Sequence, residues 1–72
     1  MIIYKMKLLI SWHAQERMAL RAITHEQIKR CIQQGSKVMQ TDGVIASYGY
    51  LEVAFKHLGK DHYFIKTVKI KR

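Results

Sequence analysis

Ser11-Trp12-His13-Ala14-Gln15-Glu16-Arg17-Met18-Ala19-Leu20-Arg21-Ala22-Ile23 is the stretch whose reading decides how the rest of the chain folds. Ser11 offers a hydroxyl to the free amides of a first helical turn, and neither glycine nor proline interrupts the twelve residues after it. The segment therefore predicts a helix running to about Ala22. His13, Arg17 and Arg21 then fall at i, i+4 and i+8, one polar ridge with Glu16 beside it. Trp12, Met18, Ala19 and Ala22 lie broadly opposite and are expected to face the core, with Leu20 as an exception near the polar side.

Working outward, Ile2, Tyr4, Met6, Leu8 and Ile10 alternate with Lys5 and Lys7 on the upstream side, the pattern of a half-buried strand. Downstream, Thr24 and Gln27 have the spacing of a capping box, and Ile23 and Ile28 occupy the two positions of a hydrophobic staple. Ile28, Cys31 and Ile32 give the buried stripe of a second helix, which Gly35 ends. From Ser36 onward the text is strand-like. Lys37–Thr41 leads into an Asp42-Gly43 hairpin turn and then Val44–Tyr48. Gly49 marks a bend that adds a further strand if it divides a long one. Leu51, Val53 and Phe55 alternate with Glu52 and Lys56. After a Gly59-Lys60-Asp61 turn, Phe64, Val68 and Ile70 are expected to share one face of a last strand, with Tyr63, Ile65, Thr67 and Lys69 on the other. The order β-α-α-β-β-β, with both helices on one face of an antiparallel sheet, is an α+β domain spanning residues 1–72.

The bulk numbers narrow the classes. A chain of 72 residues has room for one small core and no deep cofactor pocket, so none is expected. Thirteen Lys and Arg against five Asp and Glu give a formal charge of +8, which favours polyanionic partners. The single cysteine, Cys31, excludes an internal disulfide and reads as a small core residue of a cytoplasmic protein. The apolar opening is too short for a bilayer and has no signal-peptide cleavage site, so no membrane association is expected.

Several chemistries have no residues to carry them. The four glycines are isolated, which excludes Rossmann and Walker loops. A chain this small, with its cysteine buried, offers no activated nucleophile. His57 and His62 flank a turn, with Asp61 close, but two histidines without a third ligand read as surface residues of a hairpin tip rather than a metal site. The His13/Arg17/Arg21 ridge is either an ordinary solvated face or a phosphodiester site, in which guanidiniums hold phosphate oxygens and the imidazole moves a proton. On the last strand, Tyr63, Thr67 and Lys69 in line would stack a base and contact a phosphate, and Lys66 adds a cation; the plainer reading is a strand edge kept soluble by lysines.

Ile10-Ser11-Trp12-His13-Ala14-Gln15-Glu16-Arg17-Met18 with Arg21-Ala22-Ile23-Thr24 resembles the opening pattern "IS-x-HA-x-ER-M-x-x-R-x-I-[ST]" of a family of small prokaryotic proteins with a domain-of-unknown-function label. Members of it are often placed with the RelE-like and MqsR-like toxins of toxin–antitoxin systems, some beside an MqsA/YgiT-type zinc-finger antitoxin. Tyr63-Phe64-Ile65-Lys66-Thr67-Val68 is similar to the family's closing strand. The resemblance implies a RelE-like fold and a type II toxin that cleaves messenger RNA, leaving the ribosome open as the place of cleavage and an acidic antitoxin as partner. His13, Arg17, Arg21 and Thr67 match the family's positions. Two departures stand out: Ala22 replaces a usual glycine, and the Lys/Arg/Tyr catalytic set of the best-known RelE toxins has no clear counterpart here.

The expected function is therefore a metal-independent endoribonuclease. His13 would be acid or base, Arg17 and Arg21 phosphate clamps, Lys66, Thr67 and Lys69 backbone contacts, and Tyr63 a stacking ring. The alternatives are a non-catalytic nucleic-acid-binding module on the same basic surface, and an adaptor pairing a strand with an acidic protein.

Overall fold

A computed structural model describes residues 6–71, so the expectations for the first five residues lie outside it. The element order is β1 (Lys7–Ile10), α1 (Trp12–Arg21), α2 (His25–Gln34), β2 (Ser36–Gln40), β3 (Gly43–Tyr48), β4 (Leu51–Gly59) and β5 (His62–Ile70). Gly49 does divide the strand text: with φ at 62°, a value that costs a side chain energy, it forms the tight β3–β4 turn with Tyr50. The β2–β3 loop is Thr41-Asp42, one residue earlier than expected, and Gly43 opens β3.

The five strands form one sheet in the order β1-β5-β4-β3-β2. Strands β2 to β5 are an antiparallel meander, as expected, but β1 pairs with β5 in parallel, so the sheet is mixed. The physical reason is the helical crossover. After β1 the chain passes through both helices on one face and enters the meander at its far edge, leaving the β5 edge for β1 to close. Helix α1 packs on β5, and α2 on β3 and β4. Between sheet and helices lies a core of Ala14, Ile23, Ile28, Cys31, Ile32, Ala46, Val53, Phe55, Ile65 and Val68.

Ile65 and Val68 are both fully buried although three residues apart, which a regular strand forbids. A bulge resolves this: Ala54 pairs with Thr67 and Phe55 with Ile65, leaving Lys66 as the extra residue. Below the bulge, Ile65 and Tyr63 face the helices, and Phe64 turns to the open face. The expectation that Phe64 and Val68 share a face is corrected by that one insertion.

The junction of β1 and α1 is fastened to the same bulge. The Ser11 amide donates to the Ile65 carbonyl at 3.0 Å, and the Ser11 hydroxyl donates to the Lys66 carbonyl at 2.8 Å. That hydroxyl also accepts from the Ala14 amide at 3.0 Å as the N-cap of α1. The capping box of α2 forms as its spacing predicts, with Thr24 Oγ1 accepting from the Gln27 amide and Gln27 Oε1 from the Thr24 amide.

Gly35 ends α2, but in extended backbone (φ −74°) rather than in the left-handed region. Its requirement is space: a Cβ there would stand 2.4 Å from the Cys31 carbonyl oxygen and 2.6 Å from that of Ser47. Cys31 is enclosed as expected, its thiol donating to the Ala46 carbonyl at 3.4 Å. Burial pushes the thiol up to about 11, which leaves it protonated and inert at neutral pH.

Ala22 caps the C-terminus of α1 in the left-handed region, φ 54° and ψ 41°. A Cβ in this conformation costs about 1–2 kcal/mol, which glycine would avoid. Ala22→Gly is therefore expected to raise the unfolding free energy by roughly 1 kcal/mol, read as a higher urea midpoint at unchanged m-value. Ser11→Ala removes both a cap and a long-range hydrogen bond, and is expected to cost about 1–3 kcal/mol in the same measurement; Ser11→Thr, which keeps the hydroxyl, should lose much less.

Candidate functional site

Helix α1 turns Ala14 and Met18 toward the sheet, a single i, i+4 stripe. His13, Arg17 and Arg21 run alongside that stripe and are all exposed. None of their side chains makes a hydrogen bond or ion pair with another described residue, and Glu16 neutralises neither arginine. The ridge is thus a row of an imidazole and two guanidiniums with their donors free. Its apolar counterpart differs from expectation. Trp12 is 75% exposed, and Ala19 and Ala22 also face solvent, because a ten-residue helix capped by Ser11 against β5 can bury only one narrow side. Leu20, one face along from His13 and 77% exposed, stands where its sequence position put it.

The residues expected on β5 do not form one row. Thr67 pairs with Ala54 and Lys69 with Glu52, both on the face away from the helices. The Lys69 ammonium lies 3.0 Å from the Glu52 carboxylate. Lys66 reaches over β4 to the β2–β3 turn, where its ammonium donates to the backbone carbonyl and the carboxylate of Asp42; Lys56 approaches the same carboxylate at 3.8 Å. The Lys66 hydrogen bond first, then the charges of Lys66 and Lys56, hold the Asp42 carboxyl below its ordinary value. Tyr63, by contrast, faces the helix side, with its ring edge-on to Phe55 at 5.6 Å. The bulge at Lys66 therefore separates Tyr63 from Lys66, Thr67 and Lys69, and α1 lies on the opposite side of the sheet from those last three.

His57 and His62 also separate. His57 pairs with Tyr63 on the helix side, while His62 pairs with Gly59 and Lys7. Among the described residues no three His, Cys, Asp or Glu side chains are grouped to hold a metal ion. What residue order alone missed is a ring stack: His57 lies parallel to Tyr63 at 4.6 Å with 5° between the planes, and its Nε2 is 3.1 Å from the Lys60 carbonyl. The signal was present in the two residues' placement on either side of a tight turn, but reading it needed the bulge at His57/Gly59.

Three of the concavities among the described residues lie beside the helices. One lies between α2 and the β3–β4 turn, with Arg30, Tyr48 and Tyr50. A second lies between β1 and α1, with Leu8, Gln15 and His25. The third opens beside the C-terminal half of α2 and contains His57 and Tyr63. The His13/Arg17/Arg21 ridge lines none of the three. No described helix is long and apolar enough to cross a membrane.

No curated protein and no solved structure matches the chain. The sequence pattern of one family does, over residues 10–69, from the end of β1 through nearly all of β5. The stretch covered includes the capped α1 ridge, both helices and the meander as far as Lys69, and the chain belongs to that family, described as a domain of unknown function (DUF4258).

Proposed function

We propose that this protein binds RNA through the α1 ridge and cleaves it as an endoribonuclease, acting in the cytoplasm as the toxin of a type II toxin–antitoxin pair. The observation that carries the reading is the free state of the ridge: in a chain with only five acids, His13, Arg17 and Arg21 remain without a carboxylate partner among the described residues. Guanidiniums in this condition bind phosphate oxygens in bidentate fashion without first giving up an internal contact. In the reaction the ribose 2′-hydroxyl loses its proton to a base and attacks the adjacent phosphorus. The 5′-oxygen leaves with a proton from an acid, and a 2′,3′-cyclic phosphate remains. His13 takes the proton-transfer role, and Arg17 and Arg21 hold the charge that builds on the phosphoryl oxygens. No cofactor is required by this chemistry, and an acidic antitoxin would answer the overall charge.

Lys66, Thr67 and Lys69 lie on the far side of the sheet from the ridge, so the two lysines serve attraction of the polyanion and Thr67 offers a hydroxyl for a hydrogen bond, none of them to the phosphate held at the ridge. The Asp42 carboxylate paired with Lys66 and the Lys69 ammonium paired with Glu52 are both exposed, so a phosphate can compete for the two ammonium groups. The second reading, a binding module without cleavage, is favoured by one observation: His13, Arg17 and Arg21 are all exposed and line none of those three concavities, so water has access to the ridge.

Pure protein incubated with RNA in the presence of a chelator is expected to give fragments ending in 2′,3′-cyclic phosphate. His13→Ala should lower that rate by about 10²–10⁴-fold with an unchanged melting temperature. An unchanged rate removes His13 from the mechanism, and binding without any cleavage selects the second reading. Arg17→Ala should weaken RNA binding and reduce the slope of log K against log salt by about 0.7, the value for one lost phosphate contact on a single strand.

A further inference from the structure

The rings on the helix side of the sheet form a graded series. Phe55 is buried, Tyr63 is half-buried with Phe55 edge-on to it, and His57 is exposed and covers Tyr63 in a parallel stack. One ring face of Tyr63 is therefore covered by His57, and the exposed member of the series is His57. Its orientation is fixed twice over, by the 4.6 Å stack and by the contact of Nε2 with the Lys60 carbonyl at 3.1 Å. A carbonyl accepts, so Nε2 carries the proton and Nδ1 is the nitrogen left for other partners.

These rings belong to a cleft of about 350 Å³ beside α2. Ile32 and Met39 supply apolar walls, and Lys37 is a cation at its rim, with its ammonium donating to the Gly35 carbonyl at 3.0 Å. An apolar recess with an oriented flat ring and a nearby ammonium matches one chemistry closely: a planar base carried on a phosphate backbone. The charge of +8 points to the same class of occupant.

We infer that this cleft is a nucleobase subsite for single-stranded RNA, in which an unstacked base lies on His57 and extends the Phe55–Tyr63–His57 series while Lys37 meets the adjoining phosphate. The inference rests on the RNA-binding half of the function proposed above and moves the stacking role from Tyr63 to His57. Stacking of this kind is tolerant of base identity, because every base presents a π-face.

The test compares a six-residue oligoadenylate with an abasic ribose-phosphate hexamer of equal charge. The wild type should bind the oligoadenylate more tightly than the abasic chain. His57→Ala should weaken oligoadenylate binding by about 5- to 150-fold and leave the abasic chain unaffected, and His57→Phe should restore most of the loss. In the wild type, the His57 ring proton resonances should move upfield on addition of oligoadenylate but not of the abasic chain. Equal losses for both ligands in His57→Ala, no loss for either, or no rescue by phenylalanine overturns the subsite. The two readings fail separately: loss of binding in Arg17→Ala with His57→Ala unaffected leaves only the ridge, and the reverse result leaves only the cleft.

Discussion

Ser11 holds two distant parts of the chain together with one side chain and one amide. Its hydroxyl gives the first turn of α1 its cap and at the same time reaches the Lys66 carbonyl, 55 positions later. Its amide continues the parallel β1–β5 ladder to the Ile65 carbonyl. The start of α1, the end of β1 and the bulge of β5 are therefore one structural point. The direction in which α1 leaves the sheet, and hence where its polar ridge faces, depends on it. A bulge frees backbone groups from the regular ladder, and here one carbonyl freed in that way is taken by the helix cap.

The bulge also divides the chemistry. With strict alternation, β5 would have placed Tyr63, Thr67 and Lys69 in one row. The extra residue instead turns Tyr63 into the helix layer and leaves Thr67 and Lys69 on the open face. The charge distribution follows the same division. On the open face, Asp42 and Glu52 meet Lys56, Lys66 and Lys69. On α1, Arg17 and Arg21 meet no acid among the described residues. Two of the five acids, Asp42 and Glu52, balance lysines of the sheet, and the exposed guanidiniums of Arg17 and Arg21 are left open to a phosphate.

The aromatic series on the helix side has a related origin. A flat, exposed histidine is usually mobile, yet His57 is held by a ring below it and a carbonyl beside it. That pre-organisation lowers the entropy lost when a planar ligand settles on it. Cys31 marks the opposite extreme of the same layer, a thiol enclosed by carbonyls and raised out of reach of chemistry at neutral pH.

Much of the fold was legible because its signals are local. Ser11, Thr24 and Gln27 cap the helices they were expected to cap, since an N-cap needs only residues three positions apart. The burial of Ile28, Cys31 and Ile32 follows from helical period, and the division at Gly49 from the backbone freedom of one glycine. The exposure of His13, Arg17 and Arg21 on one line was likewise set by spacing. What the tertiary structure alone decided is every feature that joins residues far apart in the chain: the parallel pairing of β1 with β5, the bulge at Lys66, and the stack of His57 on Tyr63. A bulge leaves no mark in composition, because one inserted residue changes no propensity and reverses the face of every residue beyond it. The buried side of the short, polar α1 was open in the sequence for a similar reason. Its periodicity allowed more than one buried side, and only the sheet it rests on chose Ala14 and Met18 over Trp12.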